Sequence, residues 1–375
     1  MKVKLGKYIE EVSIKNKDDS PLPVYSVTNR DGFVSEYFSK EVASKDKTTY
    51  KRVSYGCFAY NPSRINVGSI AIQDKEDCVI VSPLYVVFKV SNELNKKYLF
   101  YYLKSDLTLS RIKDVATGSV RDNLKFSQLS NFEISVPSLD EQKKIVAFLD
   151  KVTDLISLRK EQLTKLDQLV KSRFIEMFGD PMTNSHGYAL KKFGDLFELN
   201  AGGTPSKVRP EYWENGTISW IGSNMCQNTI IYENDGIYIT EEGLKHSSAK
   251  IFPINTVLVA LVGATIGKTA LLKFETATNQ NVLGVREINE NGYVPEFIFY
   301  YIQGLYQKFL NISDGGFTMA SKRFISELPI PLVDLVSQNQ FAAFVEQVDI
   351  SKFEIQQSLE KLETLKKSLM QQYFG

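Results

Sequence analysis

Residues 139–178 read LDEQKKIVAFLDKVTDLISLRKEQLTKLDQLVKSRFIEMF and contain neither proline nor glycine. Apolar side chains recur here at alternating steps of four and three residues, which is the 3.5-residue period of a coiled-coil seam. The seam consists of Ile145, Leu149, Val152, Ile156, Leu163, Leu166, Val170 and Met177. At about 1.5 Å per residue the stretch forms a helix of roughly 58 Å, too long to pack wholly on one domain. The spacing therefore predicts a long helix that needs a second long helix as its partner.

The chain contains such a partner, because residues 129–179 match residues 325–375 without a gap at a shift of 196 positions. The second seam consists of Phe341, Val345, Val348, Ile355, Leu359, Leu362, Leu369 and Tyr373. We predict that the two helices pair antiparallel, with a globular domain at each end. The pairing candidates are Ile145, Leu149, Val152, Leu163, Leu166, Phe341, Val345, Val348, Leu359 and Leu362. The alternative is that the two amphipathic helices lie on separate cores.

Four seam positions exchange an apolar residue for a cation between the copies: Ile156/Lys352, Val170/Lys366, Arg159/Ile355 and Arg173/Leu369. We interpret them as positions that set the register, or as places where the seam opens to a partner. The first helix has marked ends, since Ser138-Leu139-Asp140-Glu141 fits a capping box and Gly179 precedes Asp180-Pro181.

The front of each copy aligns better at a shift of 199, which brings Phe100-Tyr101-Tyr102-Leu103 onto Phe299-Tyr300-Tyr301-Ile302. The drift to 196 implies about three residues deleted from the second copy, in the loop near Gly118 and Gly315. Before these anchors the copies diverge strongly. This pattern is expected if the long helices share a structural role and the globular part in front of each helix recognises a different target.

The fronts are predicted to be mixed α/β. Strands are expected at residues 53–59, 69–72, 79–88, 218–221 and 256–262, and helices at 95–109 and 295–310. The predicted fold class is α+β, with two mixed α/β domains in a pseudo-two-fold tandem repeat and two long antiparallel helices. The predicted segments are domain 1–137, helix 138–180, domain 181–333 and helix 334–375.

Composition excludes several classes of protein. The 375 residues are 43% hydrophobic and include no apolar run near the ~18 residues of a membrane span, and the N-terminus lacks a signal-peptide core. A cytoplasmic protein without membrane contact is therefore expected. Three single cysteines and two distant histidines predict no disulfide framework, no metal site and no catalytic triad. A net charge of +1 is low for a protein that grips DNA phosphates alone.

Polar loops between the strands are rich in the side chains that read base edges. The DNA-binding candidates are Asn29, Arg30, Asn61, Arg64, Asn66, Arg121, Thr204, Ser206, Lys207, Asn224, Asn279, Gln280, Lys322 and Arg323. For any single loop, ordinary turn chemistry is the competing explanation.

Two short stretches resemble known motifs but lack residues that those motifs require. Residues 262–269 resemble a P-loop, but the motif requires glycine where this chain has Val262, so a turn between strands is favoured. Asn61-Pro62-Ser63-Arg64 is similar to the Asn-Pro-Pro-aromatic motif of DNA amino-methyltransferases, but it lacks the second proline and the aromatic residue. Methyl transfer by this chain alone is not expected.

Several other features of the sequence, and the order in which they occur, resemble those of the specificity subunit of Type I restriction-modification systems over essentially the whole chain. They are the twofold repeat, the helix start from Pro137 to Gln142, Phe178-Gly179-Asp180-Pro181, Gly202-Gly203-Thr204-Pro205-Ser206, Tyr212-Trp213, Ile218-Ser219-Trp220-Ile221 and the glycines at 263 and 267. One departure lies at the second helix start, where Val333 replaces Pro137 and Ser337 replaces Glu141. It leaves the first residue of that helix open by a few positions.

The resemblance implies a non-catalytic subunit for host defence. Each globular part would be a target recognition domain that reads one half of a split double-stranded DNA sequence. The helices would set the distance between half-sites and dock two methyltransferase subunits, and with them the restriction and translocase subunits. S-adenosylmethionine, Mg and ATP would be bound by those partners and no cofactor by this chain. The alternatives are a specificity module of a self-contained restriction-methylation enzyme, a coiled-coil scaffold with two unrelated binding domains, and an enzyme in its own right, which no motif supports.

Overall fold

The computed structural model describes residues 2–35, 46–116, 123–287, 292–312 and 319–375. Arg121 and the loop near Gly118 and Gly315 lie outside the described residues. The chain forms two compact units. The first unit is Met1–Glu161 with Gln356–Gly375, and the second is Gln162–Ile355. Each long helix therefore contributes residues to both units.

The described elements of the first unit, in chain order, are β1 (Lys2–Lys4), β2 (Ile9–Glu11), β3 (Ser26–Thr28), β4 (Gly32–Val34), β5 (Lys51–Ser54), β6 (Phe58–Tyr60), β7 (Ile70–Ile72), β8 (Cys78–Val81), β9 (Val86–Val90), α1 (Lys96–Lys104), α2 (Asp106–Val115), α3 (Phe126–Ser130), β10 (Glu133–Ser135) and the start of α4 (Leu139–Phe178). Its main sheet is antiparallel with the order β2-β9-β6-β7, and β3-β4, β5-β8 and β1-β10 form separate pairs. Phe58 and Phe88 lie opposite each other on β6 and β9, and their rings stack at 5.0 Å in the core.

The second unit begins with the rest of α4. Its remaining described elements are β11 (Leu190–Lys192), α5 (Phe193–Leu196), β12 (Phe197–Ala201), β13 (Ile218–Ile221), β14 (Thr229–Ile231), β15 (Tyr238–Ile239), α6 (Glu241–Lys245), β16 (Ile251–Phe252), β17 (Val257–Ala260), β18 (Thr269–Leu272), β19 (Thr276–Thr278), β20 (Val282–Glu287), α7 (Pro295–Gly304), α8 (Tyr306–Leu310), α9 (Lys322–Ser326), β21 (Pro329–Pro331) and the start of α10 (Leu335–Phe374). One sheet has the order β12-β20-β17-β18-β14, and a second has the order β15-β13-β19-β16.

The duplication is visible in the strand order, since β2-β9-β6-β7 in the first unit corresponds to β12-β20-β17-β18 in the second. The mixed α/β fold with a tandem repeat is therefore confirmed. Two predicted helices were wrong in extent. Residues 95–109 divide into α1 and α2 at Ser105, whose hydroxyl accepts a hydrogen bond from the Thr108 amide, and residues 295–310 divide into α7 and α8.

Two predicted strands were each wrong because they span a turn. Residues 53–59 end β5 and begin β6 around Gly56, whose φ of +78° is a left-handed conformation that favours glycine. Residues 79–88 contain β8, a turn at Pro83-Leu84, and β9. The P-loop-like stretch is, as predicted, a turn between adjacent strands, in which the Gly267 amide donates to the Ala260 carbonyl at 2.9 Å.

A buried glutamine fixes the start of each long helix. The Gln142 amide nitrogen donates to the carbonyl oxygens of Glu93 and Pro137, and its oxygen accepts from the Asn95 amide at 2.7 Å. Gln338 makes the corresponding bonds to Gly292, Val333 and Val294. Both glutamines are fully buried, so all three bonds are made away from water.

The second helix begins at Leu335, the counterpart of Leu139, so the departures at Val333 and Ser337 do not move its start. Asp334 replaces Ser138 as the capping residue, and its carboxylate accepts from the Ser337 amide at 2.8 Å. The cap is conserved in chemistry although the residue differs.

The helices run antiparallel within the second unit. Phe174 near the end of α4 packs on Phe341 near the start of α10, with ring centres 5.3 Å apart. About two turns earlier in α4 and about three turns later in α10, Asp167 pairs with Lys352 at 2.6 Å. In the first unit Lys160 pairs with Glu363 at 2.8 Å. Of the pairing candidates, the buried ones are Ile145, Leu149, Val152, Phe341, Val345, Val348 and Leu359, and the half-buried ones are Leu163, Leu166 and Leu362.

None of the described helices is long and apolar enough to cross a membrane.

Candidate nucleic-acid interface

In the first unit, two loops meet at one edge of the sheet. The tip of the β3-β4 hairpin carries Asn29 and Arg30, and the loop after β6 carries Asn61, Arg64 and Asn66. Lys104, at the end of α1, joins them. Its ammonium donates to the Asn29 side-chain oxygen at 3.0 Å and to the Gly68 carbonyl. We call residues 29–31 and 61–66, with Lys104, the first loop cluster.

The environment of Lys104 is partly apolar. Its ammonium lies 5.6 Å from the centre of the Phe100 ring, and burial lowers the pKa of Lys104 to about 8. Lys104 is therefore half-buried, and its ammonium is hydrogen-bonded to a loop that is predicted to read DNA.

The loop after β6 is braced by its own chain and by a distant segment. The Asn61 side chain accepts from the Ser63 amide at 3.0 Å, and the Leu124 amide donates to the Pro62 carbonyl at 3.2 Å. Arg30 and Arg64 are exposed beside this braced backbone, while Asn61 and Asn66 are half-buried. The cluster thus offers cations and amides from a fixed loop.

In the second unit, parallel pairing brings distant loops together. β13 pairs with β19 in parallel, with Ile221 opposite Thr278, so the loops that follow both strands leave the same edge. β12 ends beside the start of β20, where the Gly202 amide donates to the Val282 carbonyl and the Gly203 amide to the Thr278 carbonyl. Three segments far apart in sequence therefore meet at one edge.

The side chains of these segments contact each other. The Thr204 hydroxyl and the Gln280 side-chain oxygen lie 2.6 Å apart. A Cβ atom on Gly222 would lie 2.4 Å from the Asn224 side-chain oxygen and 3.6 Å from the Asn279 side-chain nitrogen, so the two amides flank this glycine. Thr204, Asn224, Asn279 and Gln280 thus form one group of donors and acceptors.

Two cationic segments border this group. Ser206 and Lys207 are exposed and continue the loop that carries Thr204. On the other side, the Leu261 amide donates to the Asn281 carbonyl, and the Ala320 amide donates to the Leu261 carbonyl at 2.8 Å. This chain of bonds places Lys322 and Arg323, both exposed at the start of α9, along the same edge. We call residues 202–209, 222–224, 279–281 and 321–323 the second loop cluster.

The clusters present hydrogen-bonding and cationic side chains on fixed loops, which is what contacts with base edges and phosphates require. Among the described residues, no three His, Cys, Asp or Glu side chains are grouped to hold a metal ion. Sequence reasoning missed Lys104, because its role depends on loops 36 and 75 positions away. The only signal in the sequence was a lysine ending an apolar helix.

The chain is similar to known proteins over most of its length. The family described as the type I restriction modification DNA specificity domain matches residues 2–168 and 186–367. The specificity subunit of the type I restriction enzyme EcoR124I/EcoR124II from Escherichia coli is 29% identical over 65% of this chain and 61% of its own length. That of the MjaIX enzyme from Methanocaldococcus jannaschii is 25% identical over 71% of this chain and 64% of its own. The aligned part of this chain thus spans less than two thirds of the length of these relatives.

Solved structures show the same fold over the full chain. A chain from a structural study of the assembly and conformational transition of the type I R-M system has a TM-score of 0.61 at 17% identity, covering 97% of that chain. The S subunit of a type I restriction-modification system from M. genitalium has a TM-score of 0.58 at 15% identity, covering 96% of that chain.

Proposed function

Because the chain belongs to the type I restriction modification DNA specificity family, we propose that it is the sequence-reading, non-catalytic subunit of a restriction and methylation complex. The first loop cluster reads one half of a split target and the second loop cluster reads the other half. The candidate residues of both clusters remain predictions, residue by residue.

One observation carries this proposal: the framework is repeated while the loops are not. Gln142 and Gln338 make equivalent bonds, and the amides of Leu124 and Ala320 bond equivalent carbonyls at Pro62 and Leu261. On this common framework the first unit presents Asn29 and Arg30 from a hairpin, whereas the second presents side chains from loops after parallel strands. Equal scaffolds with different polar loops suit two different half-sites.

Partner subunits complete the proposed assembly on DNA. A net charge of +1 is small for a protein that neutralises many phosphates. Two methyltransferase subunits docked on α4 and α10, together with restriction and translocase subunits, supply the remaining contacts. S-adenosylmethionine, Mg and ATP belong to those partners, and the complex acts on DNA in the cytoplasm.

The decisive experiment is to co-express the chain with a type I methyltransferase subunit and to map adenine methylation across a genome. We expect methylation at one motif made of two specific parts separated by a fixed unspecific gap. A continuous motif, or no methylation by a complex that assembles, contradicts the proposal. Native mass spectrometry of the same complex distinguishes two separate methyltransferase subunits from a single self-contained catalytic chain.

A further inference from the structure

Two aliphatic side chains stand out by their exposure. Val208 is 88% exposed and Leu84 is 78% exposed, and no other large hydrophobic side chain among the described residues exceeds 68%. Each unit contains one of them. Single exposed apolar residues are common on proteins, so their positions decide whether these two have a role.

Both residues occupy the same place in the same kind of turn. The Tyr85 amide donates to the Ser82 carbonyl at 3.0 Å, and the Arg209 amide donates to the Ser206 carbonyl at 3.3 Å. Leu84 and Val208 are therefore the third residue of a hydrogen-bonded four-residue turn. Polar residues and glycine usually occupy such positions, so an aliphatic side chain there is unexpected on local grounds.

The duplication does not explain the coincidence. At shifts of 196 to 199 positions, Val208 corresponds to residues 9–12 and Leu84 to residues 280–283. The two turns thus arise from different parts of the repeated unit.

The turns lie with the loop clusters. Val86, at the start of β9, is opposite Tyr60, at the end of β6, so the turn at residues 82–85 is at the edge from which Asn61 emerges. Val208 belongs to the second loop cluster, four positions after Thr204, between the exposed cations Lys207 and Arg209.

Both turns are held firmly. Tyr85 is buried, its hydroxyl accepts from the Val27 amide at 3.3 Å, and its carbonyl accepts from the Lys51 ammonium at 2.7 Å. The Ser206 carbonyl accepts a second hydrogen bond from the Trp213 indole at 3.1 Å. A braced turn presents its side chain in one direction, and this reduces the entropy lost when that side chain contacts a ligand.

We propose that Leu84 and Val208 are specificity-determining residues that pack directly on DNA bases, one in each half-site. An aliphatic side chain recognises the 5-methyl group of thymine in the major groove or enters between bases as a wedge in the minor groove. Both are apolar base contacts. Lys207 and Arg209 flank Val208, and Lys51 contacts the turn that carries Leu84, so cations that can attract phosphates lie near both turns. This inference rests on the proposed function.

The test uses the full chain in its complex with the methyltransferase subunit. Leu84→Ala and Val208→Ala are compared with Tyr55→Ala and Ile254→Ala as controls. Tyr55 and Ile254 are exposed residues of four-residue turns at the opposite ends of β6 and β17, away from the loop clusters. The measurements are the methylated motif and the affinity for a cognate duplex and for an unrelated duplex.

We expect each of the two substitutions to weaken cognate binding about tenfold, to leave binding to the unrelated duplex unchanged, and to relax the motif in one half-site only. The two relaxed half-sites should differ, and the controls should behave as wild type. Replacing thymine by uracil in the affected half-site should abolish the difference between wild type and variant if the contact is to a methyl group, and loss of DNA bending should accompany a wedge.

If both variants keep the wild-type motif and affinities, the inference about Leu84 and Val208 is overturned. The proposed function still stands in that case, provided that the wild-type complex methylates a split motif. Reduced assembly with the methyltransferase subunit and an unchanged motif also overturns the inference, because the side chains then contact protein. A wild-type complex that assembles but shows no split motif refutes the proposed function itself.

Discussion

The ring of Phe374, at the end of α10, lies 5.1 Å from the ring of Tyr98 on α1, edge to face. In the second unit Phe178, at the end of α4, lies 4.9 Å from Phe297 on α7 in the same manner. Phe374 corresponds to Phe178 at a shift of 196, and Tyr98 to Phe297 at a shift of 199. Each long helix therefore ends on the globular part that belongs to the other copy.

Replacing Phe374 by alanine should destabilise the first unit. The side chain is 6% exposed and also packs 6.2 Å from Tyr102, so its removal leaves a cavity that costs about 3–5 kcal/mol of unfolding free energy. Urea denaturation of the full chain measures the loss, and limited proteolysis should show earlier cleavage in the last turns of α10. Gln372→Ala, an exposed neighbour on the same helix, is the matched control. Equal stability of the two variants would mean that the contact does not hold the helix end.

Gln142 should tolerate glutamate poorly. A carboxylate retains the bond from the Asn95 amide but faces the Glu93 and Pro137 carbonyl oxygens with no proton to donate. We expect Gln142→Glu to cost about 3 kcal/mol or more at neutral pH, because a charged group in a buried site is left unpaired. Gln338→Glu should behave alike in the second unit.

The pH dependence of Gln142→Glu has a definite sign. Burial and the two carbonyls raise the pKa of the introduced carboxyl above its unfolded value, because the protonated form donates one hydrogen bond. The stability of the variant relative to wild type should therefore be highest at low pH and fall as the pH rises through the folded pKa. Denaturation curves between pH 4 and 8 reveal it, and a flat difference would contradict the buried bonding pattern.

The long helices, both ends of α4 and the tandem repeat could be predicted because their signals are local or periodic, whereas the sequence left the first residue of α10 open. The division of the predicted helix 95–109 into α1 and α2 could not be predicted, because Ser105 ends α1 and caps α2 within a run that contains no glycine or proline. The loop clusters were recognisable only as polar loops. That Asn224 and Asn279 flank one glycine depends on the parallel pairing of β13 with β19, and strand pairing at such separation has no local signal.

Lys104 gives a prediction for the first loop cluster. Lys104→Met removes the bonds to Asn29 and Gly68, so the hairpin and the loop after β6 lose their common support. We expect the first unit to discriminate its half-site from altered half-sites about tenfold less well, which is the scale of one base contact. Recognition of the other half-site should be unchanged. Methylation mapping checks this, and equal relaxation of both half-sites would point to general unfolding instead.

Lys104 should also make the free energy of unfolding depend on pH in the alkaline range. Burial lowers the pKa of Lys104 to about 8 in the folded chain, below its ordinary value of 10.5, so the folded chain releases this proton first. Wild-type stability should therefore rise, relative to Lys104→Met, as the pH increases from about 8 towards 10. Denaturation at pH 7.5 and 9.5 measures the difference, and the opposite sign would show that the charged ammonium is stabilised where it lies.

The paired helices should act as a ruler if the proposed function is correct. The divisions between the units fall after Glu161 in α4 and after Ile355 in α10, so heptads inserted at both points preserve the seam phase of both helices. Seven residues add about 10 Å of helix, which corresponds to roughly three base pairs of duplex at about 3.4 Å each. We expect the matched double insertion to keep both half-sites and to widen the unspecific gap by that amount in methylation maps. An insertion in α4 alone should instead disturb pairs such as Asp167 with Lys352 and abolish methylation. An unchanged gap after the matched insertion would refute the ruler, because the distance between half-sites would then be set by something other than helix length.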